Sequence, residues 1–206
     1  MSYREIKAHI PEDVTLIAVS KTQSAEAIEA LINQGHKVFG ENLIQEAKEK
    51  FIPLKEKYPD IELHFIGHLQ SNKAKDAVAL FDYIHSIDSK KLAKTVSEEM
   101  KKQNKQLPCF IQVNTGDEKQ KGGIDISELE DLYKYCTQEL KMGIKGLMCL
   151  PPIDDVADIH FALLHKLASK MNLKDLSIGM SADYKSALKF GATYIRIGSA
   201  IFGDRK

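Results

Sequence analysis

The sequence has no tryptophan, only three cysteines in 206 residues, and no net charge. The cysteines are far apart and odd in number, which argues against a disulfide framework and favours a reducing compartment. With 29 basic and 29 acidic residues, no overall field favours nucleic acid or an anionic membrane as a partner. No run of eighteen apolar residues occurs and the polar amino terminus has no signal-peptide core, so we expect a cytoplasmic protein without a membrane span.

Short apolar runs alternate with longer amphipathic ones along the whole chain. The predicted strands cover 14–19, 37–40, 62–67, 83–87, 108–114, 144–150, 176–180 and 193–197, and the predicted helices cover 24–33, 42–57, 71–80, 90–103, 127–139, 156–170 and 183–190. Strands separated by helices imply parallel pairing. Eight of them predict a single-domain (β/α)₈ TIM barrel over residues 1–206. The alternative is an open doubly wound sheet, whose G-x-G-x-x-G fingerprint is absent.

Lys21 follows the first predicted strand, Val14 to Val19, at the point where the strand gives way to a loop. In a barrel the carboxyl ends of all strands share one face, where active sites are built. A lysine in a pocket wall loses hydration, which favours the neutral amine, and a neutral amine can attack a carbonyl carbon. Lys21 is therefore a candidate nucleophile. A solvated lysine at a strand end is the alternative.

The ends of the last two predicted strands suggest an anion site. Ser181 lies in the segment Ile178 to Asp183, which ends a strand and opens a helix. Its hydroxyl and the free backbone N–H groups there would suit a phosphate. Gly198 and Ser199 offer close backbone approach and a second hydroxyl, and phosphate sites after strands seven and eight recur in this fold. An ordinary N-cap and an ordinary turn glycine are the alternatives.

Arg196 stands two residues before Gly198, so strand alternation puts both on the same side. An arginine inside a barrel requires an acceptor. The candidates are an anionic substrate, a ring nitrogen, or a structural carboxylate such as Glu41 or Asp183. The seven histidines lack metal-ligand spacing, and we expect none of them to bind a metal.

Seven segments carry recognisable motifs: Ala18-Val19-Ser20-Lys21-Thr22; Phe39-Gly40-Glu41-Asn42; the stretch HFIGHLQSNK from His64 to Lys73; Gln112-Val113-Asn114; Gly146-Leu147-Met148; Met180-Ser181-Ala182-Asp183; and RIGSAIFG from Arg196 to Gly203. Together, and in this order, they resemble the pyridoxal phosphate homeostasis protein family over nearly the whole chain.

The resemblance implies a barrel like the amino-terminal domain of alanine racemase, with pyridoxal 5′-phosphate held as a Schiff base on Lys21. It assigns the remaining cofactor-binding positions to Asn42, Met180, Ser181, Arg196, Gly198 and Ser199. Among these, Ser181, Gly198 and Ser199 match phosphate-binding positions, and Arg196 matches an arginine facing the pyridine nitrogen. The segment before the first strand is shorter than is usual in the family, which counts against an opening helix.

The same residues bear on whether the protein is a carrier or a catalyst. Arginine can only donate, so Arg196 would disfavour a protonated ring nitrogen and weaken the cofactor as an electron sink. A carboxylate in its place should permit ring protonation and shift the cofactor spectrum. Since the chain ends at Lys206, we also expect no second domain of the kind that supplies a base in alanine racemases.

We therefore predict a non-enzymatic carrier of pyridoxal 5′-phosphate in vitamin B6 balance. It is expected to be a monomer whose partners are the cofactor and amino acids or apo-enzymes that accept it. One alternative is a minimal amino-acid racemase, with Lys21 as one base and His68 or Tyr184 as the other. A second is a Schiff-base aldolase that acts on a phosphorylated sugar.

Overall fold

The computed structural model describes residues 3–116 and 122–203. Eight parallel strands close into a barrel in sequence order, so the predicted (β/α)₈ barrel is confirmed. The strands are β1 (Thr15–Val19), β2 (Val38–Glu41), β3 (Glu62–Phe65), β4 (Tyr83–Ile87), β5 (Cys109–Gln112), β6 (Ile144–Met148), β7 (Asp175–Ser177) and β8 (Tyr194–Ile197). All eight carboxyl ends therefore meet at one face of the barrel.

Helices alternate with these strands. They are α1 (Tyr3–Ala8), α2 (Ala25–Ile32), α3 (Ile44–Lys57), α4 (Ala74–Leu80), α5 (Lys90–Lys102), α6 (Leu129–Lys134), α7 (Ala157–Lys170), α8 (Tyr184–Lys189) and α9 (Ser199–Phe202). Short 3₁₀ turns precede α4 and α6, and a π-helical turn, Tyr135–Glu139, continues α6.

Two local expectations were wrong by more than the usual difference of one or two residues at element ends. An opening helix does form: α1 buries Ile6 completely, its Tyr3 packs against His36, and the helix contacts α9, so these side chains are enough to dock this short segment. The seventh strand ends at Ser177 rather than at residue 180, because Gly179 adopts φ +91° and turns the chain out of the extended conformation.

Apolar side chains fill two regions. The larger one lies between the strands and the surrounding helices and contains most of the buried Leu, Ile, Val and Phe residues. A smaller cluster of Ile17, Phe110, Met148 and Tyr194 lies apart from it. Because β-strand side chains alternate in direction, the second set lies inside the barrel. This inner cluster supports the floor on which the site is built.

Within residues 3–116 and 122–203, no helix is both long enough and apolar enough to cross a membrane. The same two ranges hold no group of three or more histidine, cysteine, aspartate or glutamate side chains placed to bind a metal ion.

Candidate functional site

A cavity of about 520 Å³ opens at the carboxyl ends of the strands. The structure brings all seven predicted site residues into its wall: Lys21, Asn42, Met180, Ser181, Arg196, Gly198 and Ser199. They come from four different strand ends, at β1, β2, β7 and β8. The barrel topology therefore gathers residues that are up to 178 positions apart in the sequence.

Lys21 lies in a tight turn directly after β1. The Ser20 N–H donates to the Gly40 carbonyl at 3.0 Å, which ties the end of β1 to β2, and the Gln23 N–H donates back to the Ser20 carbonyl at 3.0 Å. Thr22 has φ +64°, a left-handed conformation that is unfavourable for a β-branched residue. Such strain persists only where surrounding contacts impose it. The half-buried Lys21 side chain thus projects from a backbone with little freedom.

Those contacts come from a buried ionic cluster that the sequence reading missed. Lys50 Nζ, on α3, lies 2.6 Å from Glu41 Oε1, 2.8 Å from Glu46 Oε1 and 2.8 Å from the Ser20 carbonyl oxygen. Glu46 also accepts the N–H of Thr22. The cluster therefore binds the backbone of Ser20 and of Thr22, the residues on either side of Lys21.

Glu41, one of the carboxylates considered as a partner of Arg196, has a fully buried side chain and is not among the residues that line the cavity. Its Oε1 accepts a hydrogen bond from Ser20 Oγ at 2.7 Å. Burial raises the pKa of the Glu41 carboxyl, against the opposing effect of the hydrogen bonds from Lys50 and Ser20. Glu41 is thus a support for the Lys21 turn and not a wall of the cavity.

Asn42 lies where β2 ends, closely packed against the loop after β3. A Cβ added to Gly67 would meet the Asn42 carbonyl oxygen at 2.2 Å, so only glycine fits there. Asn42 Oδ1 is buried and has no hydrogen-bond partner within the part of the chain that the structure describes. A buried polar atom without a partner is costly. An Asn42 carboxamide that faces a cavity suits a ligand with polar groups.

Ser181 does not cap α8, as one alternative had it, because that helix begins at Tyr184. Its Oγ accepts instead from the backbone N–H groups of Gly198 at 3.3 Å and Ala200 at 3.5 Å. Asp183 holds the Ser181 loop by accepting the N–H of Met180 at 2.6 Å. Hydroxyls and N–H groups from β7 and β8 therefore converge on one corner of the cavity.

Arg196 forms part of the cavity floor and is 4% exposed. Its Nη1 donates to the carbonyl oxygen and the Oγ of Ser177, at 2.6 and 2.7 Å, and its Nη2 donates to the Cys149 carbonyl at 2.9 Å. Neither of the carboxylates considered from sequence pairs with it: Glu41 binds Lys50 and Ser20, and Asp183 binds Met180. Burial lowers the pKa of Arg196 to about 10, which leaves it charged at neutral pH.

The two residues considered as a second base differ in position. His68 lines the cavity, is largely exposed, and has its Nδ1 3.6 Å from Asp88 Oδ2. Tyr184 is buried, and it is not among the residues that line the cavity. Gln112 also contributes to the wall and donates to the Gly122 carbonyl at 2.9 Å.

The cavity therefore presents three kinds of group to one ligand. An amine lies on one side, hydroxyl and backbone donors lie at a second corner, and a fixed guanidinium lies on the floor. The set suits a small molecule that has a carbonyl, an anionic group and a hydrogen-bond acceptor.

Comparison with known proteins identifies the family of this chain. The profile of the alanine racemase N-terminal domain family matches residues 2–206. The pyridoxal phosphate homeostasis protein of Vibrio alginolyticus is 38% identical over 95% of this chain and 88% of its own. The protein of the same name from Escherichia coli K12 is 36% identical over 95% of this chain and 87% of its own.

Solved structures agree at the level of the fold. PipY of Synechococcus elongatus PCC7942, solved with pyridoxal phosphate bound, is 34% identical, has a TM-score of 0.91 and aligns over 97% of both chains. An alanine racemase of Clostridium difficile 630 is 12% identical with a TM-score of 0.71 over 53% of its length, which supports the fold alone. The chain belongs to the alanine racemase N-terminal domain family and, within it, to the pyridoxal phosphate homeostasis proteins.

Proposed function

We propose that this chain binds pyridoxal 5′-phosphate in the cavity at the carboxyl ends of the strands and acts in the homeostasis of that cofactor. The single observation that carries the proposal is the convergence of Lys21, Ser181 and Arg196 on one cavity of about 520 Å³. The curated relatives are named as homeostasis proteins and not as enzymes, which supports a carrier.

Each part of the cavity matches a part of this cofactor. The Lys21 amine would attack the aldehyde carbon, so that a C=N bond forms while the aldehyde oxygen leaves as water. Ser181, Ser199 and Gly198 would hold the phosphate, with Met180 beside them. The N–H groups of Gly198 and Ala200, which donate to Ser181 Oγ in this structure, would turn to the phosphate when it binds. The Asn42 carboxamide would meet polar groups on the ring.

Arg196 determines what the bound cofactor can do. Pyridoxal phosphate supplies an aldehyde that condenses with amines and, when its ring nitrogen is protonated, an electron sink. The Arg196 guanidinium has five N–H donors and no acceptor. Three of these N–H groups bind Ser177 and Cys149, and the side chain lines the cavity. A charged donor directed at the ring nitrogen would keep that nitrogen unprotonated, which would favour storage and transfer over catalysis.

We further propose that residues 1–206 form one cofactor-binding domain that acts as a monomer in the cytoplasm. Amino acids or apo-enzymes would receive the cofactor, and nucleic acids and membranes would not be partners. The balanced charge and the three unpaired, buried cysteines support this setting.

Borohydride reduction followed by peptide mass mapping tests the function directly. Borohydride converts a C=N bond into a stable C–N bond, so protein incubated with pyridoxal phosphate should carry a phosphopyridoxyl group on Lys21. Lys21→Ala should lose this adduct, whereas Lys37→Ala should keep it, because Lys37 is an exposed residue paired with Asp60. Folded protein without the adduct on Lys21 would rule out the proposed attachment.

A second assay separates the carrier from the racemase. L-alanine is incubated with the loaded protein in deuterium oxide, and deuterium at the α carbon is measured by mass spectrometry. A carrier should give no more exchange than free pyridoxal phosphate at the same concentration. Exchange well above that level, lost in His68→Ala, would favour the racemase alternative.

A further inference from the structure

A continuous chain of polar side chains runs through the barrel interior beneath the cavity. Starting from Arg196 on β8, Nη1 lies 2.7 Å from Ser177 Oγ on β7, and that oxygen lies 2.9 Å from His85 Nδ1 on β4. His85 Nε2 is 2.8 Å from His64 Nδ1 on β3, and His64 Nε2 is 2.7 Å from Glu62 Oε1. The three middle residues are fully buried, whereas the Glu62 side chain is 39% exposed.

The chemistry of the two ends fixes the direction of every hydrogen bond. A guanidinium can only donate and a carboxylate can only accept. Glu62 accepts, so His64 carries its proton on Nε2 and, as a neutral imidazole, accepts at Nδ1. His85 must then carry its proton on Nε2 and donate to His64 Nδ1, which leaves its own Nδ1 as an acceptor. Ser177 Oγ, which accepts from Arg196, therefore donates its single hydrogen to His85 Nδ1.

Ring packing holds both imidazoles in this alignment. The His64 ring stacks on Tyr83, with centroids 4.3 Å apart and an interplanar angle of 3°. The His85 ring stacks on Phe110 at 4.4 Å and 18°. A stacked ring loses its contact face when it tilts, so stacking holds the plane of each imidazole, and the hydrogen bonds of the two ring nitrogens set which edge faces which neighbour.

Both histidines are neutral in this arrangement. Burial lowers the pKa of His64, against the opposing effect of Glu62. Burial lowers the pKa of His85 well below its ordinary value, and the positive charge of Arg196 contributes in the same direction.

The direction of the hydrogen-bond chain also accounts for the burial of Arg196. Among the described residues, the hydrogen-bond partners of this arginine are all neutral oxygens. Each group in the chain points its hydrogen away from Arg196 and toward Glu62. The negative end of each dipole therefore faces the guanidinium. In a low-dielectric interior such aligned dipoles stabilise a charge more strongly than they would in water.

We propose that Ser177, His85 and His64 are positioning residues for Arg196, forming a one-way hydrogen-bond chain that ends on Glu62 and fixes the guanidinium as a donor at the cavity floor. The proposal rests on the proposed cofactor site, because the state of a bound pyridine ring is what the chain would control. It also assigns the two histidines a fixed, neutral role with no proton to deliver to the cavity.

The first test needs no cofactor. Long-range ¹H–¹⁵N spectra of the ¹⁵N-labelled apoprotein report which nitrogen of each histidine carries the proton. Variants His64→Gln and His85→Phe identify the two signals, and Phe keeps the ring that stacks on Phe110. The hydrogen-bond chain requires the Nε2–H form of both His64 and His85. An Nδ1–H form at either one would overturn the proposal, whether or not the protein binds pyridoxal phosphate.

The second test compares two buried serines. Ser177→Ala removes the link between Arg196 and His85, whereas Ser86→Ala removes a hydroxyl on β4 that has no hydrogen-bond partner among the described residues. Losing one charge-assisted hydrogen bond should weaken pyridoxal phosphate binding about tenfold. Ser177→Ala should also shift the absorption maximum of the bound cofactor, and Ser86→Ala should change neither quantity.

If the two serine variants show the same cofactor affinity and the same absorption maximum, Ser177 has no positioning role. The borohydride adduct on Lys21 in wild-type protein establishes separately that the cofactor site exists. If that adduct is absent, the proposed function fails, and the histidine tautomers of the apoprotein still decide whether the chain has the stated direction.

Discussion

Lys50 Nζ lies 2.6 Å from Glu41 Oε1, in a buried pair directly behind the turn that presents Lys21. The Lys50 side chain is 10% exposed and that of Glu41 is 0% exposed, so both charges are largely shielded from water. Removing one member of such a pair leaves the other charge uncompensated, which costs more than the intact pair contributes.

Lys50→Met should therefore lower the free energy of unfolding by about 3 kcal/mol. Lys48→Met on the same helix is the matched control. The Lys48–Asp76 pair is 32% and 40% exposed, and such exposed pairs contribute about 1 kcal/mol or less. Urea denaturation of both apoproteins gives the comparison. Similar losses in the two variants would show that the Lys50 cluster does not hold this end of the barrel.

The close approach of Gly67 to Asn42 gives a second prediction. In Gly67→Ala the new methyl group would lie 2.2 Å from the Asn42 carbonyl oxygen, so the backbone must shift and carry the Asn42 side chain with it. We expect a loss of about 1–3 kcal/mol in unfolding free energy and weaker binding of pyridoxal phosphate. Gly143→Ala should change neither property, since no atom of residues 3–116 or 122–203 lies within 4 Å of the added methyl group there. Unaltered binding of pyridoxal phosphate in Gly67→Ala would show that Asn42 does not contribute to cofactor binding.

His36 gives a third prediction, on the pH dependence of stability. It is 5% exposed, and its Nε2 lies 2.6 Å from the Val38 carbonyl oxygen. Burial lowers the pKa of His36 from 6.5 to about 4, against the opposing effect of the Val38 hydrogen bond. The unfolded chain therefore binds a proton at a higher pH than the folded chain does. Stability is fully present above pH 6.5 and is lost as the pH falls toward 4.

At about 1.4 kcal/mol per pH unit, this gap corresponds to about 3 kcal/mol. Between pH 7 and pH 4, the unfolding free energy of His36→Gln should fall by about that much less than that of wild type. His9→Gln, at an exposed position, should retain the wild-type slope. A slope in His36→Gln equal to that of wild type would show that the folded chain binds a proton at His36 as readily as the unfolded chain does.

The sequence was sufficient to predict the barrel because each strand is a short apolar run and each helix is separately periodic. The Lys21 and Arg196 positions were also predictable, since both stand near strand ends and the barrel brings strand ends together. Lys50 was missed although it lies four residues after Glu46, the spacing of a helical ion pair. The burial of Lys50 depends on how α3 packs against the barrel, and the hydrophobic periodicity of the sequence does not give that packing.

The chain from Arg196 to Glu62 could not be predicted for a related reason. Ser177, His85 and His64 lie on three different strands, and their contacts depend on which side chains point inward at the same height in the barrel. Strand alternation gives the facing direction of each residue but not its height relative to other strands. Only the register of the closed barrel places His64 beside His85.

Arg196→Glu gives the final prediction, and the structure changes what is expected of it. From sequence alone, a carboxylate at this position should permit protonation of the cofactor ring and shift its spectrum. In the structure, the guanidinium donates to the carbonyl oxygens of Ser177 and Cys149. A carboxylate there would face two carbonyl oxygens that have no hydrogen to offer, and Ser177 Oγ could donate to it only by giving up its bond to His85 Nδ1. The apoprotein should therefore lose about 3 kcal/mol of unfolding free energy.

The pH dependence of that loss is diagnostic. Burial would raise the pKa of the new Glu above its ordinary value in the folded state, so the folded chain would bind a proton that the unfolded chain releases. Stability of Arg196→Glu should then fall as the pH rises from about 5 to about 8. Arg196→Lys keeps a cation and a donor and should show no such additional fall. Urea denaturation of both apoproteins at the two pH values makes the comparison. A pH-independent loss in Arg196→Glu would mean that the carboxylate reaches solvent through the cavity, and that the ring-protonation experiment remains feasible with that variant.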